Sequence, residues 1–493
     1  MIFNSATFLL FFFVVVTIYF LLPHRTKWIF LLAASYYFYM SWKPGYALLI
    51  AISTIITYST GIKMGQKPVQ KDRLKYLILS LVLNLSLLGT FKYFNFFSLS
   101  LHAVLSRFNI LYGAAELKII LPVGISFYTF QALSYSIDVY RGDKKPEHHF
   151  GIYALYVSFF PQLVAGPIER STRLLAQFFR KHEFDYDRVV SGLRLMGWGF
   201  FKKVVVADRL AIIVNPIYDD PQQYHGITLI IATFFFAYQI YCDFSGYSDI
   251  AIGSARVLGY DLMNNFNQPY LSKSIPDFWR RWHISLSTWF RDYVYIPLGG
   301  NRVGKWRWYW NIIIVFLLSG LWHGANWTFV IWGLLHGIYM LCSVFIQKLR
   351  SNITILTGMN KFPKLQSTIQ ILITFSLVCS AWVLFRAESL NDAAYIYRTA
   401  FSGTRHFLVY FYDIAYLKSL FGQLGVTQNE LCIAIISIGI LEIVQFVKNQ
   451  RKLSSWFKLQ PVWLRWTAYY ILFGIILFYG SFNSAQEFIY FQF

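Results

Sequence analysis

The sequence predicts an all-α, polytopic membrane protein. Three observations carry that prediction. The 493 residues are 56% hydrophobic and 20% aromatic. Only 14% are charged, where a soluble globular chain averages roughly 25%. Apolar stretches long enough to cross a bilayer recur from one end to the other, and the basic residues gather in the short connections between them.

Crossing helices need about 17–25 mostly apolar residues. Stretches of this kind cover 6–22, 28–42, 46–62, 76–97, 119–140, 189–214, 227–250, 367–385, 431–447 and 467–483. The apolar segment 309–347 is broken at Ser319 to Asn326 and offers zero or two further crossings. Two crossings there would be tight at 1.5 Å rise per residue. The segment 151–165 is short and bounded by Phe160-Pro161 and Gly166-Pro167, which predicts a re-entrant element. The total is a bundle of about 11–12 transmembrane helices plus re-entrant and interfacial helices. The whole chain, 1–493, is expected to form one membrane domain: N-terminal helices 1–118, a core 119–347 and C-terminal helices 348–493.

A net charge of +21 raises the question of nucleic acid. Its distribution argues against that and for the positive-inside pattern, with contacts to anionic headgroups. Lys63 to Lys75, Arg141 to Lys145, Arg170 to Lys203, Lys273 to Arg307, Lys348 to Lys364 and Lys448 to Arg465 are all basic. Placing them in the cytoplasm puts both termini outside. The outer loops then include 215–226, with Asp219 and Asp220, and the nearly charge-balanced 386–430. Met1 to Ala6 carries no positive charge, so the first apolar run reads as a retained span rather than a signal peptide. Cys242, Cys342, Cys379 and Cys432 are far apart in apolar contexts, which predicts packing thiols. No metal site is expected, because no closely spaced ligand pair accompanies the buried histidines.

His323 is the main candidate for chemistry. It lies in Ser319-Gly-Leu-Trp-His-Gly-Ala-Asn-Trp327 between two apolar runs. An ionisable side chain at membrane depth is costly and marks a functional site by default. Imidazole titrates near neutrality, so it can take and return a proton. Trp322 and Asn326 flank it as pocket-lining residues, with Asn326 or nearby backbone N–H groups as oxyanion donors. His283 is the second candidate. It sits in Asp277-Phe-Trp-Arg-Arg-Trp-His-Ile-Ser285, read as an amphipathic interfacial helix capped by Ser274 with Pro276 in its first turn. Trp279, Arg280 and Arg281 of that segment, with Arg291, suit an anionic, phosphate-bearing donor or lipid headgroups. His336 reads as a structural histidine, and Asp138 and Glu442 as snorkelling or paired groups. Phe244-Ser-Gly-Tyr-Ser-Asp249 reads as a helix break rather than a serine nucleophile.

Several motifs together resemble the membrane-bound O-acyltransferase (MBOAT) family. They are Pro122 to Gln131, Asp138 to Gly142, Pro161 to Ile168, Asp277 to Ser287, Arg291 to Gly300, Gly320 to Trp327 and Glu487 to Phe493. The likeness spans nearly the whole chain. It is greatest to the bacterial branch that acetylates extracellular polysaccharide, and less to the D-alanyl-transferring branch.

The resemblance implies an MBOAT-like bundle around a central tunnel, with His323 as the main catalytic residue and His283 as the second. It implies a small acyl group, acetyl first and D-alanyl as the alternative. The acyl group would come from an acetyl-CoA or carrier-protein phosphopantetheine thioester used as co-substrate, with no tightly bound cofactor. It also implies an SGNH-type esterase or transferase partner outside the cytoplasmic membrane, with a polysaccharide acceptor. A non-enzymatic transporter of a lipid-linked sugar would instead show repeated halves, and none is evident. A scaffold would tolerate loss of both histidines.

Overall fold

A computed structural model describes residues 1–110, 112–118, 120–164, 166–450, 456–457, 459–482 and 488–491. Ala165, Glu487, Gln492 and Phe493 of the motifs above lie outside the described residues. All regular secondary structure among the described residues is helical, with no strand. Seven of these helices are long and apolar enough to cross a membrane. The chain is a multi-pass, all-α membrane protein. Shorter helices occupy three further expected crossings: Ala6–Leu21, His24–Met40 and Ile125–Arg141.

Packing divides the chain into two units. The first comprises Met1–Met196, Ser248–Asn264 and Thr288–Val294. Its centre is the helix Ile125–Arg141, buried along nearly its whole length. Small and hydroxylated residues let helices approach it closely, as is usual between helices in lipid. Ser136 shares a 2.8 Å hydrogen bond with Ser80. A methyl group on Gly61 would lie 2.8 Å from the Tyr135 hydroxyl. Asp138 is paired, accepting from the Tyr293 hydroxyl at 2.8 Å. The segment read as re-entrant forms two short helices, Phe150–Ser158 and Phe160–Leu163. The nine residues of the first span only about 14 Å.

The second unit comprises Gly197–Tyr247, Asn265–Ser287 and Tyr295–Phe493. The apolar segment 309–347 resolves into two helices, Lys305–His323 and Trp327–Phe345, of 19 residues each. Each is about 28 Å long, near the thickness of a hydrocarbon core. They pack as a hairpin on their glycines. A methyl on Gly320 would meet the Phe329 carbonyl oxygen at 2.3 Å, and one on Gly333 would meet that of Phe316 at 2.3 Å. The obstructing atoms are backbone and cannot swing aside. Gly320→Ala is therefore expected to destabilise the protein by at least about 1–3 kcal/mol. An unchanged unfolding midpoint in detergent would show that the hairpin is looser than this.

Two sequence expectations change. Ser245-Gly246 does not break its helix, which runs unbroken from Ile227 to Leu258. Gly246 serves close approach instead, since a methyl there would meet the Gly199 carbonyl oxygen at 2.9 Å. The segment 277–285 is not one helix. Ser274 does cap its start, accepting from the Asp277 N–H. The helix Ile275–Arg281 then stops, Trp282 is extended, and a second helix, Ile284–Phe290, begins after His283.

Candidate active site

His283 and His323 both belong to the second unit and face each other, with ring centroids 6.3 Å apart. Both are buried. His323 is the last residue of its helix. Gly324 follows in extended backbone and has room for no more than hydrogen: a methyl there would lie 2.1 Å from the Phe329 ring. Asn326 restarts the chain as the cap of the next helix, its Oδ1 accepting from the Thr328 N–H at 3.0 Å. Its Nδ2 donates to the Glu388 carbonyl at 3.0 Å. Both ends of the Asn326 amide therefore have a structural duty, fixing the turn that carries His323.

His283 occupies a conformation unusual for a residue with a Cβ, at φ +41°. Such strain persists only where the surroundings hold it. Here Asn265 does so: its carbonyl accepts from the Ile284 N–H at 2.9 Å, and its Oδ1 accepts from the Ser285 N–H at 3.4 Å. The Asn267 N–H, donating to the Arg281 carbonyl at 3.0 Å, fixes the preceding turn. The break ends the amphipathic helix and turns His283 into the protein.

Aromatic rings wall the pair. Trp322 lies 5.6 Å from His283 and 5.1 Å from His323. Trp332 and Phe385 pack on His323 at 4.9 and 5.4 Å. Phe244 meets His283 edge-on at 4.6 Å. Tyr490, near the chain's end, touches both sides, 5.5 Å from His323 and 6.4 Å from His283. Its hydroxyl is buried and has no hydrogen-bond partner among the described residues.

The turn bearing Tyr490, Ile489–Phe491, is anchored on a buried charge cluster. The Ile489 N–H donates to Asp243 Oδ2 at 2.8 Å. Asp243 Oδ1 lies 2.8 Å from the Lys203 ammonium, which also meets Asp208 at 2.7 Å.

The other predicted residues fall differently. Trp279 is buried, and its indole N–H donates to His336 Nδ1 at 3.3 Å. That bond fits the structural reading of His336, which meets Trp332 edge-on at 4.8 Å. Arg281 pairs with Asp277 one helical turn away at 2.9 Å, and Arg280 is exposed. Neither arginine touches the two histidines in any described contact. Arg291, in the first unit, pairs with Asp292 at 2.8 Å. Among the described residues no group of three or more His, Cys, Asp or Glu is close enough to hold a metal ion. Sequence reasoning gave no role to Tyr490, Trp332, Phe385 or Phe244. Tyr490 did stand in the C-terminal motif, which was the available signal.

Burial pushes the His283 imidazole down to about 3, so it is neutral at physiological pH. It therefore offers one N–H and one lone pair, not a charge. The unfolded chain would protonate it near pH 6.5. Its contribution to stability is then fully present above about 6.5. It is lost as the pH falls towards 3, at up to roughly 1.4 kcal/mol per pH unit. The acid limb of stability is expected to be shallower in His283→Gln than in the parent. Parallel limbs in a melting-temperature series would contradict a neutral buried imidazole.

The profile described as "MBOAT, membrane-bound O-acyltransferase family" matches residues 147–382. The probable alginate O-acetylase AlgI of Pseudomonas putida is 37% identical over the full length of both chains. That of Pseudomonas aeruginosa is 42% identical over 82% of this chain and 75% of its own. The chain belongs to the membrane-bound O-acyltransferase family. A further relative, the peptidoglycan O-acetyltransferase of Helicobacter pylori, is 39% identical over 74% of this chain and 71% of its own. This membrane-bound O-acyltransferase is thus an acyl-transferring enzyme, and both of its candidate histidines lie within the matched residues.

Proposed function

We propose that this enzyme moves a small acyl group, acetyl before D-alanyl, from a cytoplasmic thioester to a hydroxyl of an extracytoplasmic polysaccharide, with His323 as general base. The observation that carries the reading is the buried pair His283 and His323 at 6.3 Å in an aromatic box. Two imidazoles at this separation are near enough to act on one reacting carbonyl. Acetyl is favoured because relatives carry the names alginate O-acetylase and peptidoglycan O-acetyltransferase. The donor is an acetyl-CoA or phosphopantetheine thioester, used as co-substrate.

The bond changes are simple. His323 removes the proton of the acceptor hydroxyl, and the oxygen attacks the thioester carbonyl. The C–S bond breaks, and the departing thiolate takes the proton back from the imidazolium. Base catalysis of this kind contributes roughly 10²–10⁴-fold. Neutral His283 supplies a hydrogen bond that orients the thioester. Oxyanion stabilisation falls to backbone N–H groups rather than to Asn326, whose amide is already engaged. The loop charges support basic loops in the cytoplasm and both termini outside the bacterial inner membrane. An acyl group then crosses past His323 while its carrier stays inside.

A second reading is favoured by Tyr490, whose ring packs 5.5 Å from that of the same base and whose hydroxyl is buried. Deprotonated by His323, the Tyr490 oxygen attacks the thioester carbonyl, the C–S bond breaks, the thiolate takes the proton from the imidazolium, and a tyrosyl ester remains. A later acceptor, the sugar or a serine of an SGNH-type partner, would then resolve that ester. The test uses purified full-length protein in nanodiscs with acyl-labelled coenzyme A and, separately, a labelled carrier-protein thioester. Release of free thiol with label appearing on polysaccharide is the expected result. No acyl transfer from either donor sinks the proposal. Peptide mapping separates the two routes: label on Tyr490 supports the relay, and its absence during turnover supports direct transfer.

A further inference from the structure

In the second unit, the stretch between two crossing helices, Pro363–Arg386 and Gln428–Val447, exposes a run of large apolar side chains. It contains three short helices, Leu390–Thr399, Thr404–Tyr410 and Ile414–Gly422. The last two have 7 and 9 residues, so at about 10 and 14 Å neither can cross a bilayer. Phe401, Leu408, Phe411, Tyr412 and Ile414 are each more than half exposed. From Phe401 to Gly422 the charged residues are Arg405, Asp413 and Lys418. No apolar run here reaches crossing length, so the sequence reads simply as a connection.

Both ends of this stretch are pinned to the start of a third crossing helix, Ile227–Leu258. At one end the Gly226 N–H donates to the Thr399 carbonyl at 3.0 Å. Gly226 has φ +64°, and a methyl there would lie 2.5 Å from the Ser402 carbonyl oxygen. At the other end the Thr228 hydroxyl donates to Gln423 Oε1 at 3.1 Å, and Leu420 and Leu424 are buried. Between these clamps the two short helices meet through Tyr416, whose ring lies 5.2 Å from His406 and 6.1 Å from Tyr410. The exposed apolar side chains therefore project from a fixed base.

The ends of crossing helices mark the membrane surface. A base pinned among three of them sits at that surface. Tyrosine settles where headgroups meet acyl chains, and phenylalanine, leucine and isoleucine settle just below. Exposed to water, a contiguous patch of such side chains would be a liability. Two basic groups against one acidic group give little pull towards anionic headgroups, so the fitting partner is apolar.

We propose that residues 401–417 form an interfacial anchor, bedding their exposed apolar side chains among lipid acyl chains in the leaflet where these three helices end. By the loop charges, that is the outer leaflet.

Photolabelling of the unmodified, full-length protein tests the anchor without any readout of acyl transfer. The protein is placed in phosphatidylcholine nanodiscs whose lipid carries a diazirine in the acyl chain, and adducts are mapped by peptide mass analysis. Adducts are expected on residues 401–417 as well as on Ile435, Ile436 and Ile443. Those three are exposed residues of the adjoining crossing helix and serve as the internal standard. The adducts should persist at high salt, which screens attraction to headgroups. Phe411→Asp combined with Tyr412→Asp should lose the adducts of this stretch and keep those of the standard. Both positions are exposed, so the variant should fold, and its melting temperature checks that. Label on the standard with none on 401–417 in the parent would overturn the proposal. So would adducts that vanish at high salt, adducts untouched by the double substitution, or cross-linking that shows a second copy of the chain or another protein covering these side chains.

Discussion

His323→Ala is expected to lower the rate of acyl transfer by about 10²–10⁴-fold with the fold intact. The imidazole closes one side of an aromatic box, and its ring contacts involve Trp322, Trp332, Phe385 and Tyr490. Its removal leaves a cavity in that box. The two effects are separable by measurement. Turnover of labelled thioester reports the chemistry, and the unfolding midpoint reports the packing. His323→Gln keeps a polar group of similar length but cannot serve as a base near neutral pH. It should be as slow as the alanine variant and closer to the parent in stability. Equal turnover in parent and both variants would remove His323 from the chemistry.

The second large effect is expected at Lys203. Its ammonium holds two buried carboxylates, Asp208 at 2.7 Å and Asp243 at 2.8 Å. Lys203→Met leaves both without their cation in an environment that penalises bare charge. Breaking a buried pair in this way costs roughly 3–5 kcal/mol. Much of that would appear as a lower melting temperature or poor recovery from the membrane. Asp243→Asn is the milder companion, since its amide oxygen can still accept from the Ile489 N–H. It should fold better than Lys203→Met and keep part of the activity. If Lys203→Met melts with the parent, the cluster is not a structural keystone.

Much of this was legible from residues alone. Apolar length marked crossings that the helices occupy, and the broken run 309–347 is a pair of helices. The Ser274 cap needed only a serine three residues before an aspartate, and it formed as read. His323 stood out because its neighbours are apolar and an ionisable group among them needs a reason. Other features depend on contacts remote in sequence. The break at His283 follows from hydrogen bonds to Asn265, which local helix propensity does not register. Gly246 looked like a break, yet a glycine is equally what a helix needs where another backbone presses on it. The donor-binding role given to Trp279 and the oxyanion role given to Asn326 called on their polar atoms. The structure had already given those atoms partners, His336 and the Thr328 N–H among them. Tyr490 comes near His323 on a turn that Asp243 anchors, a link with no sequence signature.

That last link bears on biogenesis. The Asp243 carboxylate meets the Ile489 amide across 246 residues of chain. While the polypeptide is being made, the two histidines are in place long before the turn that bears Tyr490. A thioester reaching the unfinished site would find an imidazole and water but no tyrosine. A chain cut before Ile489 would keep both histidines and lose one wall of their box, leaving His323 to face water where the tyrosine ring stands.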